Sequence, residues 1–465
     1  MPEEHLDDPS QHSFVKRPNR TLMVLATPVL FSMIAEPLTG LVDTSFISRL
    51  GAESLAALGV GTVTLSGIFW IFNFLGVGSQ TEVAQLWGKR DKARASQVAG
   101  MALSMALVFG IIIALVGFLV AEQASLFMGA TGGILSRAVD YMHVRFFAAP
   151  AILVTMTSFG ILRGVQDMKT PMKVAILVNI INVILDPIFI FGWQPLLSSP
   201  LSMLSFPALG IKGAALATLI SQYLGAALCL YSIQLRFSKP DRLNPGDISL
   251  LVKIGGDLFI RTGLLTLFII LCTREATTIG AEGGAAHQAI RQIWLFTALF
   301  LDSFAITGQS LIGYFLGANQ IAIARKVASY VCIWSIVTGS LLAVAMVLST
   351  NLVVSILVPA SALSLFSTAW FVAAAAQPIN ALAFATDGIH WGTGDFGYLR
   401  NVMILATGCG TFLLLVSGFY VLDGLTTIWT ITAVWISIRA FFGTVRVFPG
   451  MGASPLKQCM NNSNY

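Results

Sequence analysis

"TLMVLATPVLFSMIAEPLTGLVDTSFI", residues 21–47, carries only two charged side chains, Glu36 and Asp43. A membrane-spanning helix needs about 20 apolar residues, so this stretch is long enough to cross a bilayer. The two acids lie seven residues apart, two helical turns, and share a face. An acid at bilayer depth costs about 2.5–3.5 kcal/mol on insertion scales and is usually paired or functional. The stretch therefore sets the fold class and raises the question of function together.

The whole chain agrees with its first apolar run. Its 465 residues are 56% hydrophobic and 11% charged, with a mean hydropathy of +0.81. A soluble domain carries about 25% charged residues. So little polar surface implies an all-α polytopic membrane protein. A transmembrane barrel would show short alternating segments instead. The net charge of +5 is a topology signal, not a nucleic-acid footprint. The five cysteines are scattered without a CxxC, so neither a zinc site nor a disulfide framework is expected. The polar start "MPEEHLDDPSQHSFVKRPNR" is not expected to be a removable signal peptide. "LWGKRD" (86–91) lacks the leading glycine and the Ser/Thr of a P-loop, and no HExxH or GxSxG occurs. ATP drive, enzymatic activity and a bound cofactor are therefore not expected.

Twelve apolar runs are candidate spans: 21–47, 54–86, 97–121, 138–163, 173–194, 209–235, 250–275, 285–316, 327–350, 362–389, 401–422 and 425–446. The second and eighth are long enough to tilt or kink. Loops then alternate sides. One side receives Lys16, Arg17, Arg20, Lys89, Arg90, Lys92, Arg94, Lys169, Lys173, Arg236, Lys239, Arg242, Lys253, Arg325, Lys326, Arg400, Arg446 and Lys457. The other receives little beyond Arg49, Arg137, Lys212 and Arg274. The positive-inside rule puts both termini in the cytoplasm.

The chain also repeats itself. At an offset of 229, "LGAESLAA" (50–57) falls on "IGAEGGAA" (279–286), Gln80 on Gln309 and Gly88 on Gly317. At 228, Pro150 meets Pro378, Gly160 meets Gly388, Gly164 meets Gly392 and Asp167 meets Asp395. Six spans per repeat is an even number, so both halves enter the membrane from the same side. Two lobes related by a pseudo-twofold axis along the membrane normal suit alternating access. The expected organisation is a polar tail (1–20), an N-lobe (21–235), a linker (236–249), a C-lobe (250–446) and a C-terminal tail (447–465). Asp43 maps onto Cys272 and Asp186 onto Leu414, so these two acids belong to the N-terminal half alone.

"GLVDTSFISRLGAESLAALGVG" (40–61) resembles the first-helix motif of multidrug and toxic compound extrusion (MATE) transporters. "GILRGVQDMKTPMKVAILVNIINVILDPIFIFG" (160–192) resembles their fourth-to-fifth helix segment, and "GIKGAALATLISQ" (210–222) the start of their sixth helix. The "GLVDT" form is most similar to the DinF-like branch. The resemblance implies a monomeric two-lobe antiporter of the cell membrane, exporting cationic or amphiphilic organic compounds against protons or, alternatively, sodium. It also implies an ion or proton site at Asp43, Asn182, Asp186 and Thr218. A lipid-linked precursor flippase of the same wider superfamily is the alternative. Such flippases tend to have a cationic cavity, and the motif-bearing residues here are acidic.

The same residues can be read physically. Asn182 and Asp186 are four apart on one helix and share a face. Two carboxylates in a small dry pocket repel, and a shared proton or a bound cation relieves that repulsion. Pro28 and Pro37 are candidates for a bend in the first span. Glu36, Met33, Met156 and Asp302 are candidates for the substrate cavity, with Asp302 also a candidate partner of Arg261 or Arg291.

Overall fold

A computed structural model describes residues 9–192, 207–238, 244–417 and 424–457. Parts of the expected tails and linker, with Lys239, Arg242 and Cys459, lie outside the described residues. The described chain is helical, without a strand. In order, the helices are α1 (Ser13–Lys16), α2 (Pro18–Ser48), α3 (Ala52–Ile71), α4 (Phe74–Gly88), α5 (Lys92–Phe127), α6 (Gly132–Phe146), α7 (Ala149–Gly164), α8 (Lys169–Phe191), α9 (Ile211–Gln234), α10 (Gly246–Thr278), α11 (Ala281–Gly317), α12 (Ile321–Leu348), α13 (Thr350–Leu357), α14 (Leu363–Ala375), α15 (Gln377–Thr393), α16 (Phe396–Ser417) and α17 (Gly424–Val447).

Ten helices among the described residues are long and apolar enough to cross a membrane, with α3 and α4 together forming one; two bent pairs bring the number to twelve. The expected kinks are partly misplaced. The second span is interrupted at Phe72–Asn73, but the eighth, α11, runs unbroken. The sharp bends are in the fourth and tenth spans, 52° between α6 and α7 and 46° before α15. Each bend has a proline at the start of the following helix, Pro150 or Pro378. Proline has no N–H to offer the preceding turn and clashes with it, so the helix restarts at a new angle. α2, by contrast, remains one helix through Pro28 and Pro37.

The chain divides into two compact units, Phe31–Val83 with Asp91–Gly255, and Met1–Leu30 with Ala84–Arg90 and Gly256–Tyr465. The first has a core built on Leu65, Tyr141, Met142, Phe146, Ile190 and Ala214. The second has cores around Trp370, Trp435 and Phe366, and around Phe14, Leu22 and Phe315.

The repeat reappears as the same helix crossings made twice. A Cβ on Gly160 would run into the backbone of Gly76, and one on Gly388 into that of Ala305. Gly164 lies on the Gln80 carbonyl and Gly392 on that of Gln309. Gly110 lies against Pro150, and Gly339 against Pro378. Each partner differs from its mate by 228 or 229. Within the second unit, the mates Gly88 and Gly317 pack on the carbonyls of Tyr314 and Gln85. Small residues let helix backbones approach closely where lipid supplies no hydrophobic drive between helices. The helix ends repeat as well. Asp167 pairs with Arg236 at the end of α9, and Asp395 with Arg446 at the end of α17, 2.8 Å away.

Gly160→Val and Gly388→Val should each lower stability by about 1–3 kcal/mol through overpacking. Gly408→Ala, inside α16 where a Cβ would meet nothing within 4 Å, should raise it slightly, by about 0.5–1 kcal/mol. Thermal unfolding of the purified protein in detergent measures all three.

Candidate functional site

Three helices of the first unit bring the expected residues together. α8 starts where Asp167 accepts the backbone N–H of Thr170 at 3.0 Å and its hydroxyl at 2.6 Å, a capping arrangement. It ends at Gly192, whose φ of 82° is the left-handed conformation that stops a helix. One face of α8 carries Asn182 and Asp186, both buried, the latter with no exposed surface. Pro187 follows Asp186 inside the helix and removes one backbone donor there. α9 approaches α8 at Gly213, where a side chain would collide with the backbone of Phe189. That approach places Thr218 beside Asn182.

The polar contacts form a chain. The Asn182 Nδ2 donates to Thr218 Oγ1 at 3.3 Å and lies 3.5 Å from Asp186 Oδ1. Thr218 Oγ1 donates in turn to its own helix, at the Ala214 carbonyl, 3.1 Å away. Asp43 enters from α2, and its carboxyl lies within hydrogen-bonding reach of Asp186. Asp43 Oδ1 and Asp186 Oδ2 are both buried without a donor. Two orphaned carboxylate oxygens in one cluster are costly unless something positive comes between them.

Sequence reasoning missed two members of this cluster. Arg145 and Tyr141, four apart on α6, share a face, with the guanidinium carbon 6.0 Å from the Tyr141 ring centre. Arg145 interacts electrostatically with Asp43 and Asp186. The signal was present as an arginine inside the fourth apolar run.

The remaining candidates do not join the cluster. Glu36 is exposed on α2, and Met33 and Met156 are half-buried. None of the three makes a polar contact to Asp43 or Asp186 among the described residues. Asp302, in the second unit, is half-buried and interacts electrostatically with Arg439. Arg261, one of its expected partners, instead pairs with Asp387, which also accepts from Arg439 Nη2 at 2.7 Å. All three are buried. Arg439 lies over the Trp435 ring at 4.5 Å and Arg261 over Trp391 at 5.2 Å. Here a buried carboxylate is paired directly with two guanidiniums, unlike Asp43 and Asp186.

The chain is similar to known proteins over most of its length. Residues 28–188 match the MatE family model. The chain is 28% identical over 464 residues to Protein DETOXIFICATION 44, chloroplastic, of Arabidopsis thaliana, spanning 96% of this chain and 84% of that one. It is 25% identical to DNA damage-inducible protein F of Escherichia coli (strain K12), over 92% and 91% of the two chains. A crystal structure of MATE in the bent conformation superposes with a TM-score of 0.83 at 21% identity, covering 93% of this chain and 96% of that one. That likeness is one of fold.

The two kinds of buried acid should respond differently to substitution. Asp387→Ala strands two buried guanidiniums and should cost about 3–5 kcal/mol. Asp186→Asn keeps the shape of a protonated carboxyl and should leave the melting midpoint near that of the unmodified protein. Thermal unfolding of the two purified variants side by side makes the comparison.

Proposed function

We propose that this chain, a DinF-like membrane transporter of the MATE family, is a secondary active antiporter that exports cationic or amphiphilic organic compounds in exchange for protons. The observation that carries this reading is the pair of orphaned oxygens on Asp43 and Asp186. Nothing in the protein donates to them, and one proton held between the two carboxyls satisfies both. Asn182 and Thr218 orient the acceptor that remains. An exchangeable proton in a dry cluster shared by α2 and α8 ties the charge of the site to the packing of α2. Discharge of the proton alters that packing, and alternating access follows from the rearrangement of two six-helix lobes, 21–235 and 250–446. The Asp387 carboxylate, already paired with Arg261 and Arg439, is not offered as the exchanging group.

The distribution of lysine and arginine supports an orientation with both termini in the cytoplasm, and the proposed location is the bacterial inner membrane. The protein acts as a monomer, without a cofactor.

In proteoliposomes, ethidium flux should follow an imposed pH gradient. Asp43→Asn should lower that flux to the level of protein-free vesicles while the variant still purifies as a monodisperse species. Undiminished pH-driven flux by Asp43→Asn would falsify the coupling role.

A further inference from the structure

Arg145 has no function in the scheme above, yet its position is unusual for a half-buried cation. Its Nε and Nη1 are buried without a hydrogen-bond partner. It forms no ion pair within 4.0 Å among the described residues, although it lies in the field of both carboxyls. The other groups around the acids carry no counter-charge. α6 adds Tyr141, α8 adds Asn182 and α9 adds Thr218. The cluster therefore holds two unpartnered carboxylate oxygens and two unpartnered guanidinium nitrogens.

We propose that Arg145 is the residue that makes the Asp43–Asp186 site select a proton over a sodium ion. The proposal rests on the reading of that pair as the coupling site. Without the arginine, two carboxylates and the hydroxyl of Thr218, joined by the Asn182 oxygen once its amide turns over, form a hard-oxygen set with two negative charges. Such a set suits a small metal cation. With the arginine, the net charge falls to minus one. Sodium is held by electrostatics alone, so its affinity follows that net charge. A proton forms an O–H bond with a carboxyl oxygen and keeps that intrinsic affinity; it also needs no cage, lying on the line between two oxygens. The guanidinium opposes either positive charge by a similar free energy; the weakly held sodium ion then loses the affinity it needs, whereas the proton keeps the affinity that its O–H bond supplies. Once the proton has left, the unpartnered nitrogens can close onto the unpartnered oxygens and fill the volume that a sodium ion would need. Arg145 does not exchange a proton itself; it sets which ion the two acids accept.

Equilibrium dialysis of the purified full chain against radioactive sodium, at a pH where the acids are ionised, tests this directly. The unmodified protein should show no saturable binding in the millimolar range. Arg145→Gln should acquire one saturable class of sites, with a gain in affinity of roughly tenfold or more, and adding Asp43→Asn to that variant should abolish the gain. Arg145→Lys, which keeps the charge, should bind no sodium, an outcome that a purely structural role for the arginine does not predict. Arg145→Met provides a second neutral variant should the glutamine variant fail to purify. The proposal is overturned if the neutral variants bind no more sodium than the unmodified protein. It is equally overturned if the unmodified protein binds sodium saturably and loses that binding with Asp43→Asn. Drug transport is not part of the readout, so failure of the efflux reading and failure of this one are separable.

Discussion

Hydrocarbon offers a buried charge no water, so every ionised group at membrane depth must be neutralised by the protein or by something it binds. This constraint separates the buried acids of the chain into two kinds. Asp387 is held between Arg261 and Arg439, so its carboxylate is paired within the protein. Asp43 and Asp186 each keep an oxygen without a donor, in reach of one another, with Asn182 and Thr218 as neutral neighbours. The first carboxylate already has its counter-charges. The second pair keeps acceptors open to an exchangeable ion, the feature on which the proposed antiport rests.

Close backbone contact helps to place α8 and α9. Gly213 allows α9 to meet α8, and thereby brings Thr218 to Asn182. Gly160 with Gly76 and Gly388 with Ala305 make one crossing twice, and Pro150 and Pro378 bend the fourth and tenth spans alike. The acids break this symmetry, because Asp43 and Asp186 face Cys272 and Leu414 in the repeat. The scaffold is thus duplicated while the chemistry stays in one half.

Much of this was legible before any coordinates. Hydropathy identified the class, and the glycine and proline matches at offsets 228 and 229 marked what proved to be the helix crossings and the two sharp bends. The grouping of Asp43, Asn182, Asp186 and Thr218 came through a family resemblance, since spacing links only Asn182 to Asp186. Arg145 escaped because nothing in a one-dimensional reading brings α6 toward α2 and α8. Asp387 escaped for the same reason: its partners lie 126 and 52 residues away. The bend in α2 expected from Pro28 and Pro37 has no counterpart in a break of that helix. A proline can be absorbed where its missing donor falls in a helix that neighbours support, and sequence does not show which prolines are so supported.

The central claim is that Asp43 and Asp186 together hold one exchangeable proton. Infrared difference spectroscopy of the purified protein, stepping from high to low pH, observes that proton as the C=O stretch of a protonated carboxyl. The account predicts a carboxyl band that appears as the pH falls and is lost in Asp43→Asn and in Asp186→Asn alike. A spectrum left unchanged by either substitution would contradict it.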